Sequence, residues 1–384
     1  MGHNASTSLR FMNDFQSRAG GWLQIDLPAI AENYRRLRSY VGRNVSVGAA
    51  VKANAYGLGV AQVAPVLHNA GCRHFFVATV DEGVVLREHI GPDAKIFQLN
   101  GPMPGAESVV LAADLHPVLN SREQIAGWRH LAKQQGRPLP CVLQIDSGMS
   151  RFGLSEADVR ALGADDALEG LQIELVMSHL ACADEPSHPQ NAAQLSRFRA
   201  LRAHLPEASS SLAASSGIFL GPDFHFDLVR PGYALYGGNP VLGHPNPMRN
   251  VVTLHARLIQ DRVIEAGTAV GYSARFVAQR PSRIATLAIG YADGLPRAAG
   301  DIATAIHPAR PDVKLPVIGR VSMDCMALDV TDLGDMNLPP GTCFELIGTH
   351  RPLDDVASGL DTIGYELLTS LGRRHHREYI ESSL

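Results

Sequence analysis

The sequence has few cysteines, no dominant charge and no long apolar run. Its 384 residues include 34 basic and 38 acidic side chains, and the net charge of −4 gives no electrostatic reason to expect nucleic-acid binding. No apolar segment approaches the length of a membrane span, so no membrane association is predicted. The five cysteines are odd in number and form no Cys-x-x-Cys pair, which is typical of reduced thiols in a cytoplasmic protein.

The sequence also lacks a signal peptide and a recognisable metal-binding pattern. The first twenty residues lack the apolar core of a secretory signal peptide, which again favours the cytoplasm. Candidate metal ligands occur close together, but their spacing matches no common zinc pattern, and no metal is predicted. These candidates are His179, Cys182, Asp184 and His188. The chain is otherwise globular in composition, with 45% hydrophobic and 19% charged residues.

Short apolar segments alternate with helical stretches over the first 235 residues. A strand at 22–26 and an amphipathic helix at 28–41 come first. Eight strand segments follow, at 45–51, 74–79, 95–99, 115–119, 141–146, 172–178, 209–214 and 224–229. Strands separated by single helices form right-handed βαβ units, and eight of them predict a closed (β/α)8 barrel, with a doubly wound open sheet as the alternative.

The texture of the sequence changes after a stretch rich in Gly and Pro at 237–247, which is typical of a linker. Beyond it the chain is rich in β segments and short turns, with a closing helix near 362–372. We therefore predict a TIM-type (β/α)8 barrel domain over 28–240 and a mostly β C-terminal domain over 241–384. The N-terminal strand at 21–27 is expected to join the second domain.

Polar residues follow several of the predicted barrel strands. In such barrels the catalytic groups lie at the carboxyl ends of the strands, and phosphate sites are common after strands seven and eight. A lysine together with a phosphate cradle at the same end indicates pyridoxal phosphate held on that lysine. The residues in question are Lys52 after the first strand, 146–151 after the fifth, His179 at the end of the sixth, Ser215 after the seventh and Arg230 after the eighth.

Seven segments together resemble the alanine racemase family of fold type III pyridoxal-phosphate enzymes. They occur in the expected order and span Trp22 to about Tyr365: AVKANAYGLG, IDSGMSRFG, SHLACADE, FDLVRPGYALYG, AVGYSARF, IGYADGLPR and GRVSMDCMALDVT. The resemblance implies racemisation of L- and D-alanine by two-base proton transfer at Cα on a pyridoxal-phosphate Schiff base. It further implies a homodimer with active sites shared between chains, and D-alanine supplied for peptidoglycan or consumed in catabolism.

The resemblance also implies a role for individual residues. Lys52 is the Schiff-base lysine and one catalytic base, and Tyr272 of the partner subunit is the other. Arg230 faces the pyridine nitrogen, and an arginine cannot accept a proton from it, so the ring stays neutral. The other cofactor-binding residues are Tyr56, His179, Ser215, Gly232, Tyr233 and Tyr365, and the substrate-binding residues are Arg151, Tyr291, Met323 and Asp324.

Two positions depart from the family pattern. Many relatives carry a carbamylated lysine where this chain has Gln144, so either the Gln144 amide orients Arg151 or an anion replaces the carbamate. An asparagine usual in the family is Ala214 here, and Ser216 is a candidate to compensate.

Three other functions were weighed. A racemase of serine or another amino acid is the nearest alternative. A fold type III decarboxylase would place a carboxylate, not Arg230, at the pyridine nitrogen. A non-catalytic pyridoxal-phosphate-binding protein would be a single barrel without the β-rich C-terminal region that carries Tyr272 and Asp324.

Overall fold

The computed structural model describes residues 18–164 and 166–381 of the chain. The first seventeen residues, which hold most of the polar segment examined for a signal peptide, lie outside the described part. The chain divides into two compact units. The barrel unit is Pro28–Arg249, and the β-rich unit combines the chain up to Leu27 with the chain from Asn250 onward. Strand β1 (Gly21–Asp26) and helix α1 (Leu27–Val41) lead from one to the other.

The barrel unit alternates strands and helices. Strands with near-continuous apolar runs, such as the fully buried Leu115–Leu119, are typical of a parallel sheet covered on both faces. The strands are β2 Ser46–Val47, β3 Ala49–Ala50, β4 His74–Val77, β5 Lys95–Gln98, β6 Leu115–Leu119, β7 Leu139–Gln144, β8 Leu171–Met177, β9 Ser209–Ser211 and β10 Leu228–Val229. The helices are α2 Val60–Asn69, α3 Val80–Arg87, α4 Glu107–Ala112, α5 Arg122–Gln135, α6 Glu156–Ala164 and α7 Pro189–Arg202.

These strands close into a barrel, as predicted. Strands β3 to β9 form a parallel sheet in chain order, β10 pairs in parallel with β2, and a parallel bridge joins Ala214 to Arg230. The prediction of one continuous first strand at 45–51 was wrong. It is split at Gly48, so that β2 pairs with β10 and β3 pairs with β4. A Cβ on Gly48 would lie 2.8 Å from the carbonyl oxygen of His74, so the backbones approach too closely there for any side chain.

The last predicted barrel strand is shorter than expected. Only Leu228–Val229 is extended, and Pro222–Phe224 forms a 3-10 turn. Both ends of this region are nevertheless held in the barrel, because the amide of Asp227 donates to Ser210 O at 3.0 Å and that of Arg230 to Ala213 O at 2.9 Å. The carboxyl ends of the eight strand positions form the barrel mouth.

The β-rich unit is built on an eight-stranded sheet in the order β14-β17-β16-β15-β18-β11-β1-β19, with β11 also pairing with β14. Strand β1 is antiparallel to β11 and parallel to β19. The strands after β10 are β11 Val252–Ile264, β12 Ala269–Val270, β13 Phe276–Val277, β14 Ser282–Leu287, β15 Thr304–His307, β16 Arg310–Ile318, β17 Met326–Asp329, β18 Cys343–Ile347 and β19 His376–Ile380. The helices are α8 Leu353–Gly359 and α9 Gly364–Ser370.

The helix predicted near 362–372 is confirmed, but it is not the last element of this unit. Helix α9 is present where a closing helix was expected, but strand β19 follows it and pairs with β1. The segment His376–Ile380 is short and mostly polar, so its partner β1, more than 350 residues away in sequence, is what makes it a strand. Among the described residues no helix is long and apolar enough to cross a bilayer.

An ionic cluster lies inside the barrel at the end opposite the mouth. Glu174 of β8 contacts Lys95 of β5 at 2.9 Å and His116 of β6 at 2.7 Å. Lys95 and Glu174 line a polar cavity of about 100 Å³ together with His74 and Asp227. Burial alone would raise the pKa of Glu174, but its contacts with His116 and Lys95 hold that pKa at about 2.

Replacing Glu174 with Gln is expected to lower the free energy of unfolding at pH 7 by about 1–2 kcal/mol, after allowance for solvent screening. Since the folded pKa of about 2 lies below the ordinary value of 4.5, the contribution is complete above about pH 5 and is lost as the pH falls towards 2. Urea unfolding at a series of pH values measures this. Glu169→Gln is the control, because Glu169 is 76% exposed in its pair with Arg129. Equal losses in both variants would contradict the prediction.

Candidate active site

Lys52 lies directly beyond β3 and begins a turn of unusual backbone conformation. Residues 53–56 have φ angles between 52° and 56°, the left-handed region, although none of them is glycine. Left-handed conformation costs roughly 1–2 kcal/mol per residue for L-amino acids. Such strain is concentrated at functional sites, where the surrounding structure maintains it. The turn ends at Gly57, whose amide donates to Ala53 O at 2.8 Å.

The environment of Lys52 favours a neutral amine. Burial lowers its pKa, and the positive charges of Arg151 and Arg230 lower it further. The carboxylate of Glu82 acts in the opposite direction. A lysine with a lowered pKa has more of the unprotonated amine that attacks a carbonyl or accepts a proton at neutral pH.

Arg230 is buried at the barrel mouth and its guanidinium is held by neighbouring strands. It donates to Ser178 O at 2.6 Å, to Ser211 Oγ at 2.5 Å and to Leu212 O at 3.4 Å. His179 Nδ1 lies 3.3 Å from the same guanidinium. Burial lowers the pKa of Arg230 to about 9, so the side chain still carries its charge at neutral pH.

The charge on Arg230 keeps its neighbour neutral. Burial and then the charges of Arg230, Arg151 and Lys52 lower the pKa of His179 to about 3. An uncharged imidazole beside a fixed cation presents one donor and one acceptor at the mouth. Arg230 and His179 therefore form one unit with a single positive charge.

Hydroxyl groups and backbone amides gather next to Arg230, after strands seven and eight of the barrel. Ser215 Oγ accepts hydrogen bonds from the amides of Gly232 at 3.0 Å and Ala234 at 3.2 Å. A Cβ on Gly232 would lie 2.3 Å from the hydroxyl of Tyr56, so only glycine fits between them. Tyr233 follows at the start of the 3-10 turn Tyr233–Tyr236. Two hydroxyls beside a short run of backbone amides are the kind of group that binds a phosphate, and in this structure Ser215 Oγ accepts from two of those amides.

Arg151 has no hydrogen bond to Gln144 among the described residues. Its side chain is exposed and its guanidinium lies 5.7 Å from the centre of the Phe152 ring. Gln144 is buried on β7, and within the described residues no hydrogen bond joins its amide to Arg151. The loop is shaped instead by Asp146, whose Oδ1 accepts from three successive amides, those of Gly148, Met149 and Ser150. Of the two alternatives for Gln144, direct orientation of Arg151 is not observed.

The β-rich unit presents its predicted site residues on exposed loops. Tyr272 is 67% exposed in a 3-10 turn between β12 and β13, and Met323 is 53% exposed. The amide of Tyr291 donates to Ser322 O at 3.0 Å, which joins the loop after β14 to the loop that carries Met323. Arg320 donates to Ser273 Oγ at 3.0 Å and so joins that same loop to Tyr272.

Asp324 is held by a chain of charges that sequence reasoning did not identify. Arg374 contacts Asp324 Oδ1 at 2.6 Å and Asp293 Oδ1 at 2.9 Å. Asp293 is 3% exposed, and its other oxygen accepts from the amide of Gly290 at 2.9 Å. One guanidinium therefore bridges two carboxylates and orients the exposed Asp324. Tyr365 lies on α9, and the end of this helix packs against Gly294, where a Cβ would lie 2.3 Å from Ser370 O.

The structure thus brings the predicted residues together as two groups, one in each unit. It also adds members that were missed. Ser178 and Ser211 hold Arg230, and no local pattern marks them. Glu82 accepts from the amide beside Lys52, and its Thr79-x-x-Glu82 spacing is a visible capping-box signal. The described residues contain no group of three or more His, Cys, Asp or Glu placed to hold a metal ion.

Both units of the chain are similar to domains of known proteins. Residues 25–240 match the family model for the alanine racemase N-terminal domain, and residues 251–379 match that for the C-terminal domain. A catabolic alanine racemase from Mesorhizobium japonicum is 49% identical over 366 residues, 95% of this chain and 94% of the relative. An alanine racemase from Rhodospirillum rubrum is 47% identical over 95% of this chain and 97% of its own.

A solved structure is similar over nearly the whole chain. The crystal structure of alanine racemase from Bartonella henselae, with covalently bound pyridoxal phosphate, superposes with a TM-score of 0.90 at 43% identity. The match covers 94% of this chain and all of that one.

Proposed function

The chain belongs to the alanine racemase family, and from this membership we propose that it interconverts L-alanine and D-alanine with pyridoxal phosphate as cofactor. The observation that carries the proposal is the barrel mouth. There a lysine of lowered pKa, a buried arginine and a phosphate-type cradle lie together. The family relation supports the reaction, and the chemistry of these residues supports the cofactor.

Pyridoxal phosphate, when bound, supplies an electron sink that acidifies the Cα–H of an attached amino acid. Lys52 would hold the cofactor covalently, and its amine, released when the substrate amine takes its place, would serve as one base. Its lowered pKa suits both tasks, because each requires the unprotonated amine. Ser215, Tyr56 and the backbone of Gly232 and Tyr233 would hold the phosphate, together with the hydroxyl of Tyr365.

With the cofactor bound, Arg230 would face the pyridine nitrogen, and it cannot take a proton from it. Its donors are already directed at Ser178, Ser211 and Leu212, so its position is set before any ligand binds. His179, neutral at working pH, adds no second charge. The site therefore keeps the electron sink weak, which restrains the side reaction of transamination.

Racemisation needs a base on each face of the planar carbanion. Tyr272 of the partner subunit provides the second base. Its exposed position on a loop supports a site completed by another chain, because a catalytic tyrosine must be enclosed to exclude water. Met323 on a neighbouring loop is likewise exposed. We propose a symmetric homodimer in which the β-rich unit of each chain completes the site of the other.

The substrate carboxylate is bound by Arg151 together with the backbone of Met323, and Asp324 lines the same site. An unpaired Asp324 would repel that carboxylate, and its contact with Arg374 reduces the repulsion. Tyr291 narrows the entrance so that a small side chain fits. We propose action in the cytoplasm, consistent with five free cysteines. D-alanine is then supplied for peptidoglycan or consumed in catabolism.

Borohydride reduction of the cofactor-loaded protein is expected to fix the cofactor on Lys52. The chain has four lysines, Lys52, Lys95, Lys133 and Lys314, so peptide mapping assigns the label directly. In parallel, a panel of L-amino acids is assayed for D-product, with alanine expected to react fastest. Label on another lysine would overturn the site, and a faster reaction of serine would make the protein a serine racemase.

A further inference from the structure

The turn that carries Lys52 donates a hydrogen bond to a carboxylate of the next βα unit. Its left-handed residues are held internally by the amides of Gly57 and Gly59, which donate to Ala53 O and Asn54 O. The first amide of the turn, that of Ala53, donates instead to Glu82 Oε1 at 2.7 Å. Ala53 is the residue next to Lys52, so this bond acts on the backbone from which the amine projects.

Glu82 is itself held in a defined orientation. It is the third residue of α3, and its Oε2 accepts from the amide of Ala78 at 2.7 Å and from that of Thr79 at 3.4 Å. Its own amide donates to Thr79 Oγ1 at 3.3 Å, completing a capping box. One carboxylate therefore joins the chain after β3 to the chain after β4.

The same carboxylate acts on Lys52 through its charge. Of the charged groups that affect the Lys52 amine, Arg151 and Arg230 are cations and Glu82 is the anion. It offsets part of the repulsion from the two guanidinium groups. The contact is more than a helix cap, because a capping box needs only one of the two carboxylate oxygens.

We propose that Glu82 is a positioning residue for Lys52, fixing the left-handed turn through the amide of Ala53 and so directing the amine to the barrel mouth. The importance of this for catalysis rests on the proposed function, whereas the placement of Lys52 does not. Glu82 does not itself contact the reacting atoms. It acts through the backbone and through its charge.

The test uses Glu82→Ala and Glu82→Gln, with Thr79→Ala as the matched control. Thr79→Ala removes the capping hydroxyl but leaves both carboxylate contacts to Ala53 and Ala78. Glu82→Gln keeps one acceptor oxygen and the side-chain volume while removing the charge. It replaces Glu82→Ala in both measurements if Glu82→Ala does not fold. Thermal unfolding of each variant is measured first.

The first measurement is the pH dependence of reductive methylation of Lys52 in the cofactor-free protein, read by peptide mass spectrometry. The exposed Lys133 and Lys314 are references within the same sample. In Glu82→Gln the midpoint for Lys52 is expected to move to lower pH by about 0.5–1 unit, because an attracting anion has been removed. The references and Thr79→Ala are expected to show no shift.

The second measurement is the kinetics of alanine racemisation. Glu82→Ala is expected to lower kcat by about tenfold or more with little change in KM, because a displaced amine reacts poorly while the substrate carboxylate site is intact. Glu82 variants that match Thr79→Ala in Lys52 reactivity and in kcat would overturn the proposal. If Glu82→Gln shifts the reactivity of Lys52 but the wild-type protein does not racemise alanine, the placement of Lys52 is retained and the proposed function is refuted.

Discussion

A mixture of Lys52→Ala and Tyr272→Phe chains, unfolded together and refolded, is expected to regain about a quarter of the wild-type racemase activity. Each variant alone is expected to be nearly inactive, because each lacks one of the two bases and loss of a general base costs about 10²–10⁴-fold. The exposure of Tyr272 at 67% in the single chain is the structural reason to expect its site in trans.

The recovery follows from the symmetry of the dimer. Random pairing makes about half of the dimers mixed, and each mixed dimer has one site with both bases and one with neither. If Lys52 and Tyr272 served the same chain's site, no site in the mixture would hold both and no activity would return.

A second mixture controls for the efficiency of refolding. Lys133→Ala changes an exposed lysine on α5, away from the barrel mouth, and is expected to be fully active. Refolded with Tyr272→Phe, it should give about half of the wild-type activity, since a quarter of the dimers have two good sites and half have one. A lower value would measure incomplete refolding, and the activity recovered in the first mixture would then be divided by the same factor.

Replacing Arg230 with Glu is expected to reduce alanine racemisation by about 100-fold or more, the range for loss of a preorganised charge at a reacting centre. A carboxylate there would favour a protonated pyridine and a stronger electron sink. Pyruvate released by transamination, measured per alanine racemised, is therefore expected to rise.

The surroundings of Arg230 also predict a cost in stability. The oxygens of Ser178, Ser211 and Leu212 accept hydrogen bonds from Arg230. A carboxylate in its place would be buried beside these oxygens without a hydrogen-bond donor. We expect a loss of about 3–5 kcal/mol in the free energy of unfolding for Arg230→Glu. Arg230→Lys is the control, because it keeps the cation, and it should retain more activity and release no additional pyruvate. An Arg230→Glu protein with unchanged rate and cofactor absorbance would place Arg230 away from the ring.

Local patterns were enough to predict much of this molecule. The eight barrel strands were predicted because apolar runs of strand length alternate with amphipathic helices, and this alternation is written within short windows of sequence. The residues at the barrel mouth followed, because in such a barrel every strand end lies on the same face. Lys52, His179, Ser215 and Arg230 were placed in this way.

Only the tertiary structure decided the features that depend on distant partners. Gly48 splits the first strand because the backbone of His74 lies against it. The segment His376–Ile380 is a strand because Gly21–Asp26 is beside it. The turn after Lys52 is left-handed although its residues are ordinary L-amino acids, and the carboxylate that supports it comes from Glu82 on another βα unit. Periodicity shows which residues share a face of a strand or helix. It does not show which distant backbone group a side chain contacts, and the contact between Glu82 and the Ala53 amide is what holds the backbone next to Lys52.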